Sequence, residues 1–293
     1  MRRVRDWFAN PWGQPRFLGA FTWLYMIWSI VPVIIAIVFS FNNGRSRSVW
    51  QGFSTRWWWG DPYNSVLHDP VLRGALEQSL RLAGFDMLIA VPIGVGLALG
   101  LTRWRGYGNR PVNYLMLFPL VTPEIVMAVS LLLVFDHLYH VPFGTEAQIL
   151  GQVTFSISYV VIIIRGRLLS IGPEYEEAAR DLGASRIGAL RLVLLPLLTP
   201  AIFASLVVVF ALSIDDFVVT DYLSAGQSTQ TVPILIYSSV RGTATPALNA
   251  VATVMVIVTL ASVTLAYLVY RWSARSQPGT SGSALNEITA LEA

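Results

Sequence analysis

Six apolar segments, each about long enough to cross the hydrocarbon core of a bilayer, recur along this chain of 293 residues. A transmembrane helix needs roughly 20 apolar residues to span about 30 Å of hydrocarbon. Because lipid offers no hydrogen-bond partners, such segments fold as helices that satisfy their own backbone groups. The sequence therefore predicts an all-α integral membrane protein with six transmembrane helices, at 18–41, 80–101, 112–135, 149–164, 197–219 and 248–270.

The fourth of these segments is more polar than the rest. It contains Gln152, Thr154, Ser156 and Ser158. Small polar side chains let helices approach closely and form interhelical hydrogen bonds. We therefore expect this helix to pack inside the bundle.

The arginines indicate how the chain lies across the membrane. All 20 basic residues are arginine; with the N-terminus inside, fourteen fall in predicted cytoplasmic segments and five in external loops, while Arg81 lies at a helix end. This asymmetry follows the positive-inside rule. It predicts a multi-pass membrane domain at 1–272 with both termini in the cytoplasm. The stretch 273–293 is polar and rich in Ser, Gly and Ala, which predicts a disordered cytoplasmic tail.

Missing residue types exclude several functions. Without cysteine the chain has no disulfides or thiolate metal sites, and without lysine it cannot form a Walker A nucleotide site. Its arginines cluster at the ends of apolar segments instead of along one face, which argues against a nucleic-acid partner. We expect no catalytic residue, metal or cofactor, so a membrane-embedded enzyme is disfavoured and any ATP-driven work needs a separate subunit.

The loop between the fourth and fifth segments, at about 172–196, predicts a short helix outside the hydrocarbon. Pro173 suits a first helical position, and Glu174, Glu176 and Glu177 lie beside the positive end of the helix dipole. We expect Arg186 and Arg191 toward the far end of that helix. An ordinary solvated loop is the alternative.

A family resemblance rests on this loop. Glu177-Ala178-Ala179, then Gly183, then Val193-x-Leu195-Pro196 resembles the EAA loop of ABC importer permeases, with Val193 where that family usually has isoleucine. The resemblance implies a cytoplasmic coupling helix that contacts an ATPase subunit. The residues it implicates are Glu177, Ala178, Ala179, Gly183, Leu195 and Pro196.

Acidic residues inside apolar segments are the candidates for the substrate pathway, because a charge costs roughly 2.5–3.5 kcal/mol at a helix centre. A cationic substrate could balance them, and Phe217 and Tyr222 could add cation–π contacts. Structural alternatives remain open: Asp86 pairs with Arg81, and Glu124 caps a helix broken near Pro123. The adjacent aspartates point about 100° apart on one helix, so we expect one to face the pathway and the other a neighbouring helix or the interface. The acids are Asp86, Glu124, Asp215 and Asp216.

The stretch from about 113 to 270 resembles the permeases of spermidine/putrescine importers, most of all their PotC type. The similar motifs are Phe118-Pro-Leu-Val-Thr-Pro-Glu124, Ser213-Ile-Asp-Asp-Phe217 and Thr229-Gln-Thr-Val-Pro233. The resemblance implies that 1–272 is a MetI-like six-helix permease domain in the bacterial inner membrane. It also implies that the domain transports polyamines with a second permease, two ATP-binding subunits and an external substrate-binding protein. Importers of ferric ion, thiamine or phosphonates share these motifs in part, and an ion-coupled secondary transporter is a more distant alternative.

Two further features have competing interpretations. Trp57-Trp58-Trp59, in the first external loop, either anchors the chain at the membrane surface or contacts an external partner. Gly96 and Gly100 have GxxxG spacing and could support close helix packing, as could Pro92 and Gly94 through kinks.

Overall fold

The computed structural model describes residues 16–46, 48–103, 109–240 and 245–275. The long apolar helices in these ranges pack as a bundle, with shorter helices between them. In chain order the helices are α1 (Arg16–Phe39), α2 (Pro70–Arg103), α3 (Asn109–Val121), α4 (Glu124–Leu133), α5 (Thr145–Ile171), α6 (Glu174–Asp181), α7 (Arg186–Ala189), α8 (Leu195–Asp215), α9 (Val218–Tyr222), α10 (Val232–Val240) and α11 (Pro246–Arg275).

Five of the predicted spans are confirmed as helices long and apolar enough to cross a membrane. They cover Leu18–Phe39, Pro70–Arg103, Thr145–Ile171, Arg186–Asp215 and Pro246–Arg271. The last helix continues to Arg275, three residues into the predicted tail. The rest of that tail lies outside the described residues.

The prediction of one continuous helix over 112–135 is wrong. The apolar stretch forms two helical pieces, Pro111–Val121 and Glu124–Tyr139, that meet at 108°. The break falls at Pro123, which has no N–H to donate and disfavours helical backbone at the preceding Thr122. The predicted break near Pro123 is therefore confirmed, but Glu124 does not cap the second piece, because it is its first helical residue and no side-chain cap hydrogen bond is present there.

The centre of the bundle is the packing of α5 against α2 and α8. Gly94 of α2 makes the closest approach, because a Cβ placed there would lie 2.5 Å from Cβ of Val160 and 3.3 Å from the carbonyl oxygen of Ile157. Gly96 and Gly100 have no such neighbours. Their GxxxG spacing therefore does not mark a contact within this chain.

Replacing Gly94 with valine is expected to destabilise the protein by about 1–3 kcal/mol, because the added side chain overpacks a filled interface. The matched control is Gly96→Val, which adds the same side chain to the same helix at an open position. The thermal unfolding midpoint of each purified variant in detergent measures the difference. Equal midpoints would contradict the close packing of α2 on α5.

The tryptophan cluster divides between the core and the surface. Trp57 is 1% exposed, and its indole N–H donates to the backbone oxygen of Asn42 at 2.6 Å. Trp58 stacks on Phe41, with ring centroids 5.1 Å apart, whereas Trp59 is 58% exposed. Membrane anchoring or partner docking thus concerns Trp59, while Trp57 is a core residue.

Asp61 helps to fix the same loop. Its carboxylate accepts hydrogen bonds from the backbone N–H groups of Tyr63 and Asn64 and forms a 2.8 Å ion pair with Arg56. The backbone hydrogen bond from Tyr63 is the main cause, followed by Arg56, of a pKa for Asp61 well below its usual range. The loop is therefore held by a carboxylate that stays ionised until the pH falls well below neutral.

Candidate functional site

A cavity of about 450 Å³ lies where α2, α4, α5 and α8 meet. Four of its lining side chains are carboxylic acids, and none of the described lining residues is basic. Such a site favours cations, because each ionised carboxylate near low-dielectric walls lacks a compensating charge. The lining residues are Asp86, Glu124, Gln152, Phe155, Ser156, Tyr159, Ala211, Leu212, Ser213, Asp215, Asp216, Phe217, Val218 and Val219.

Three buried polar residues lie on one face of α5, and two of them, Gln152 and Ser156, line the cavity. Gln148, Gln152 and Ser156 are spaced four residues apart, so they stack on consecutive turns. All three are buried, as is Ser158, which confirms that α5 packs inside the bundle. Thr154 points to the other side and is exposed.

Gln152 links α5 to the end of α8. Its Nε2 donates to the backbone oxygen of Ser213 and to Oδ2 of Asp216, both at 3.2 Å. Its Oε1 accepts a hydrogen bond from the Ser213 hydroxyl at 2.7 Å. Both the Nε2 and the Oε1 atoms of Gln152 are hydrogen-bonded, so its side chain is fixed and orients the carboxylate of Asp216.

Asp215 and Asp216 do not follow one another on a helix, contrary to the sequence-based expectation. Helix α8 ends at Asp215, because Asp216 has extended backbone, with φ −64° and ψ 119°. Asp216 instead caps α9, accepting hydrogen bonds from the N–H groups of Val219 and Thr220 at 3.2 and 3.1 Å. Both aspartates line the cavity, so the ending of the helix brings them to one site.

Asp86 lies on the α2 wall of the cavity and is completely buried. Its Oδ2 accepts a hydrogen bond from the Ser156 hydroxyl at 2.6 Å, and its Oδ1 has no partner. Arg81, the alternative partner, is exposed, and no ion pair between the two is present in the described part of the chain. The pairing of Asp86 with Arg81 is therefore wrong.

Glu124 completes the group of acids from the start of α4. It is exposed, and it lies close enough to Asp216 for the two carboxylates to repel each other when both are ionised. It follows the bend at Pro123 directly, as the first residue of a helix that lines the cavity. Two neighbouring carboxylates that repel each other form a better site for a cation than either alone.

The aromatic predictions are only partly matched. Phe217 lines the acidic cavity and also an adjoining, mostly apolar cavity of about 740 Å³. Tyr222 lines neither one. Tyr237 lines the apolar cavity, and its ring centroid lies 4.7 Å from that of Phe217.

Sequence reasoning missed several lining residues, namely Phe155, Tyr159 and Tyr237, and assigned Gln152 and Ser156 only to packing. A signal for part of this set was present. Gln152, Ser156 and Tyr159 recur at spacings of four and three, which places polar groups on one face of an otherwise apolar helix. No comparable pattern marks Tyr237, which lies far along the chain on α10.

The loop after α5 forms the short helix that the sequence predicts. Helix α6 (Glu174–Asp181) follows Pro173 and has no buried residue. It ends before Gly183, whose φ of +91° favours glycine. Arg186 therefore begins α7, and Arg191 follows it, so the expectation that both lie at the far end of α6 is wrong.

The surface of α6 is accessible to another protein. Glu177, Ala178 and Gly183 are exposed and Ala179 is half-buried, and a shallow cavity of about 480 Å³ is lined by Glu177, Arg180, Asp181, Gly183, Ala184 and Ser185. Leu195 and Pro196 begin α8, half-buried and exposed respectively. An ion pair between Arg103 and Glu176 joins α6 to the end of α2.

Together, a helical bundle with spans of membrane length and an acid-lined cavity among them define a membrane transport protein. The family model for "Binding-protein-dependent transport system inner membrane component" matches residues 90–277. The chain belongs to this family, and it has the MetI-like fold of ABC importer permeases.

Among characterised relatives, the chain is 35% identical over 261 residues to the spermidine/putrescine transport system permease protein PotC of Escherichia coli K12. That match covers 89% of this chain and 96% of PotC. It is 34% identical over 252 residues to the putrescine transport system permease protein PotI of the same strain, covering 84% of this chain and 86% of PotI.

Solved structures show the same fold at lower identity. A bacterial ABC transporter involved in the import of the acidic polysaccharide alginate has a chain that matches with a TM-score of 0.70 and 17% identity, covering 94% of this chain and 99% of that one. A chain of an amino acid ABC transporter matches with a TM-score of 0.53 and 24% identity, covering 70% and 95%.

Proposed function

We propose that this chain is one of two permease subunits through which an ATP-driven importer carries polyamines into the cell. The observation that carries the proposal is the cavity with four acids and, among its described lining residues, no basic side chain. Polyamines are linear and carry several ammonium groups, so they supply the charge that the cavity lacks. The relatives named for spermidine and putrescine transport support the same substrates.

A second permease is expected to complete the cavity. Glu124 and Asp215 line it, yet both are exposed in the single chain. Charged groups at membrane depth normally face a bundle interior or water, not lipid, so another subunit is expected to cover this side.

Separate ATP-binding subunits supply the energy for transport. Two ATP-binding subunits contact the α6 loop of this chain and of the second permease, at Glu177, Ala178, Ala179, Gly183, Leu195 and Pro196. ATP binding closes these subunits, and the loops transmit that movement to the membrane helices. An external substrate-binding protein delivers the polyamine on the opposite side, and both termini of this chain lie in the cytoplasm.

Other cargo chemistries differ in how well they fit. The acids argue against an anionic phosphonate, whereas ferric ion and thiamine are cations. Membership in a binding-protein-dependent family favours the importer over an ion-coupled secondary transporter.

The deciding experiment is uptake of labelled spermidine and putrescine by cells that carry the whole transporter, with this chain present or deleted. We expect deletion to abolish uptake and re-expression to restore it. Unlabelled thiamine and ferric ion serve as competitors. Uptake that is unaffected by deletion, or inhibited by a competitor in preference to polyamines, would contradict the polyamine assignment.

A further inference from the structure

The cavity acids differ in how completely their oxygens are satisfied. Both oxygens of Asp216 accept hydrogen bonds, from the side chain of Gln152 and from the backbone of Val219 and Thr220. Asp86 has Ser156 on Oδ2 and nothing on Oδ1, although the residue is 0% exposed. Asp216 therefore has a structural role that accounts for its carboxylate, whereas Asp86 does not.

A buried carboxylate oxygen without a partner is unusual. Most buried polar atoms have at least one hydrogen-bond partner, and leaving one without costs free energy. A helical turn of α2 has no structural need for an acid here, because the one hydrogen bond to Ser156 could equally be accepted by a neutral amide. The Oδ1 atom without a partner therefore indicates that a ligand binds Asp86 transiently.

The surroundings of Asp86 suit an ammonium group. Gln152 and Ser156 lie four residues apart on α5, a rise of about 6 Å along the helix, and they hydrogen-bond to the carboxylates of Asp216 and Asp86 respectively. The rings of Phe155 and Tyr159 line the same cavity and can contact both methylene groups and a cation.

We propose that Asp86 is the inner binding point for one ammonium group of the transported polyamine, while the exposed acids Glu124 and Asp215 form an outer binding point. This inference rests on the proposed function. Oδ1 of Asp86 is closed to water in this conformation, so the cavity wall has to move before the ammonium group reaches the inner point. The outer acids lie on the side that the second permease is expected to cover.

The test is Asp86→Asn in the complete transporter, reconstituted in proteoliposomes with its binding protein loaded with labelled putrescine or spermidine. Asparagine keeps an acceptor for the Ser156 hydroxyl but removes the charge. We expect polyamine transported per ATP hydrolysed to fall about tenfold or more, the scale of a lost hydrogen bond to a charged group, with ATP hydrolysis within about twofold of the unmodified protein.

Two further variants complete the comparison. Ser156→Ala keeps the charge and is expected to have a smaller effect. Asp221→Asn makes the same change at an exposed acid that does not line the cavity, and it is expected to behave as the unmodified protein.

Each outcome has one meaning. An Asp86→Asn variant that transports like Asp221→Asn would overturn the inner binding point and leave the polyamine importer standing. A parallel fall in ATP hydrolysis and transport would indicate a structural role and would also overturn it. No polyamine transport by the unmodified complex would overturn the proposed function and this assignment together.

Discussion

Polyamine uptake is expected to fall about tenfold or more when Asp215 is replaced by asparagine, while the thermal stability of the protein stays unchanged. Its side chain lines both cavities and is exposed. It makes no hydrogen bond or ion pair within the described parts of the chain, so the substitution removes a charge and no structural contact. The loss of one charge-assisted contact with an ammonium group gives the expected size.

Asp216→Asn provides the contrast for this prediction. Asp216 caps α9 and accepts from Gln152, so we expect its replacement to lower both uptake and the thermal midpoint. Uptake measured at saturating loaded binding protein, beside the unfolding midpoint of each purified variant, separates the two effects. Normal uptake by Asp215→Asn would remove Asp215 from the pathway.

Replacing Leu182 with aspartate is expected to abolish ATP-driven uptake by weakening contact with the ATP-binding subunits. Leu182 follows α6 directly and is 91% exposed, so its side chain contributes little to the fold of this chain. Burying a leucine against a partner is worth roughly 1.5–3 kcal/mol, and a carboxylate in its place adds the cost of desolvating a charge. Affinity for the ATP-binding subunits should therefore fall more than tenfold.

The control for this prediction is Leu67→Asp, the same change at a leucine that is 59% exposed at the opposite end of the bundle. Co-purification of the ATP-binding subunits and ATP-dependent uptake are measured for both variants. We expect the control to retain both activities. Retention of both by Leu182→Asp would show that the partner binds elsewhere.

Hydropathy predicted most of the fold because the length of an apolar run directly reflects the thickness of the bilayer. It failed where the backbone changes direction within apolar sequence. Thr122 and Pro123 redirect one span by 108°, and the extended backbone of Asp216 ends α8 four residues before the predicted limit. Mean hydropathy is insensitive to both events, since neither changes how apolar the segment is.

The acids of the site could be predicted because a carboxylate in an apolar helix stands out in the sequence. Their partners could not. Whether Asp86 meets Arg81 or Ser156 depends on how α2 is rotated about its axis and on which helix packs beside it. The contact between the rings of Phe217 and Tyr237 likewise depends on the position of α10 relative to α8, which no local pattern encodes.

Helix α5 connects the cavity to the α6 loop and can move as a rigid rod. Its 27 residues make a rod about 40 Å long, which leads through Gly172 into α6 at one end. Toward the other end, Gln152 and Ser156 hydrogen-bond to the cavity acids Asp216 and Asp86, and Gln148 donates to the backbone oxygen of Thr220. A small rotation of this rod would move all three side chains at once. The hydrogen bonds to Asp216 and Asp86 would therefore change together.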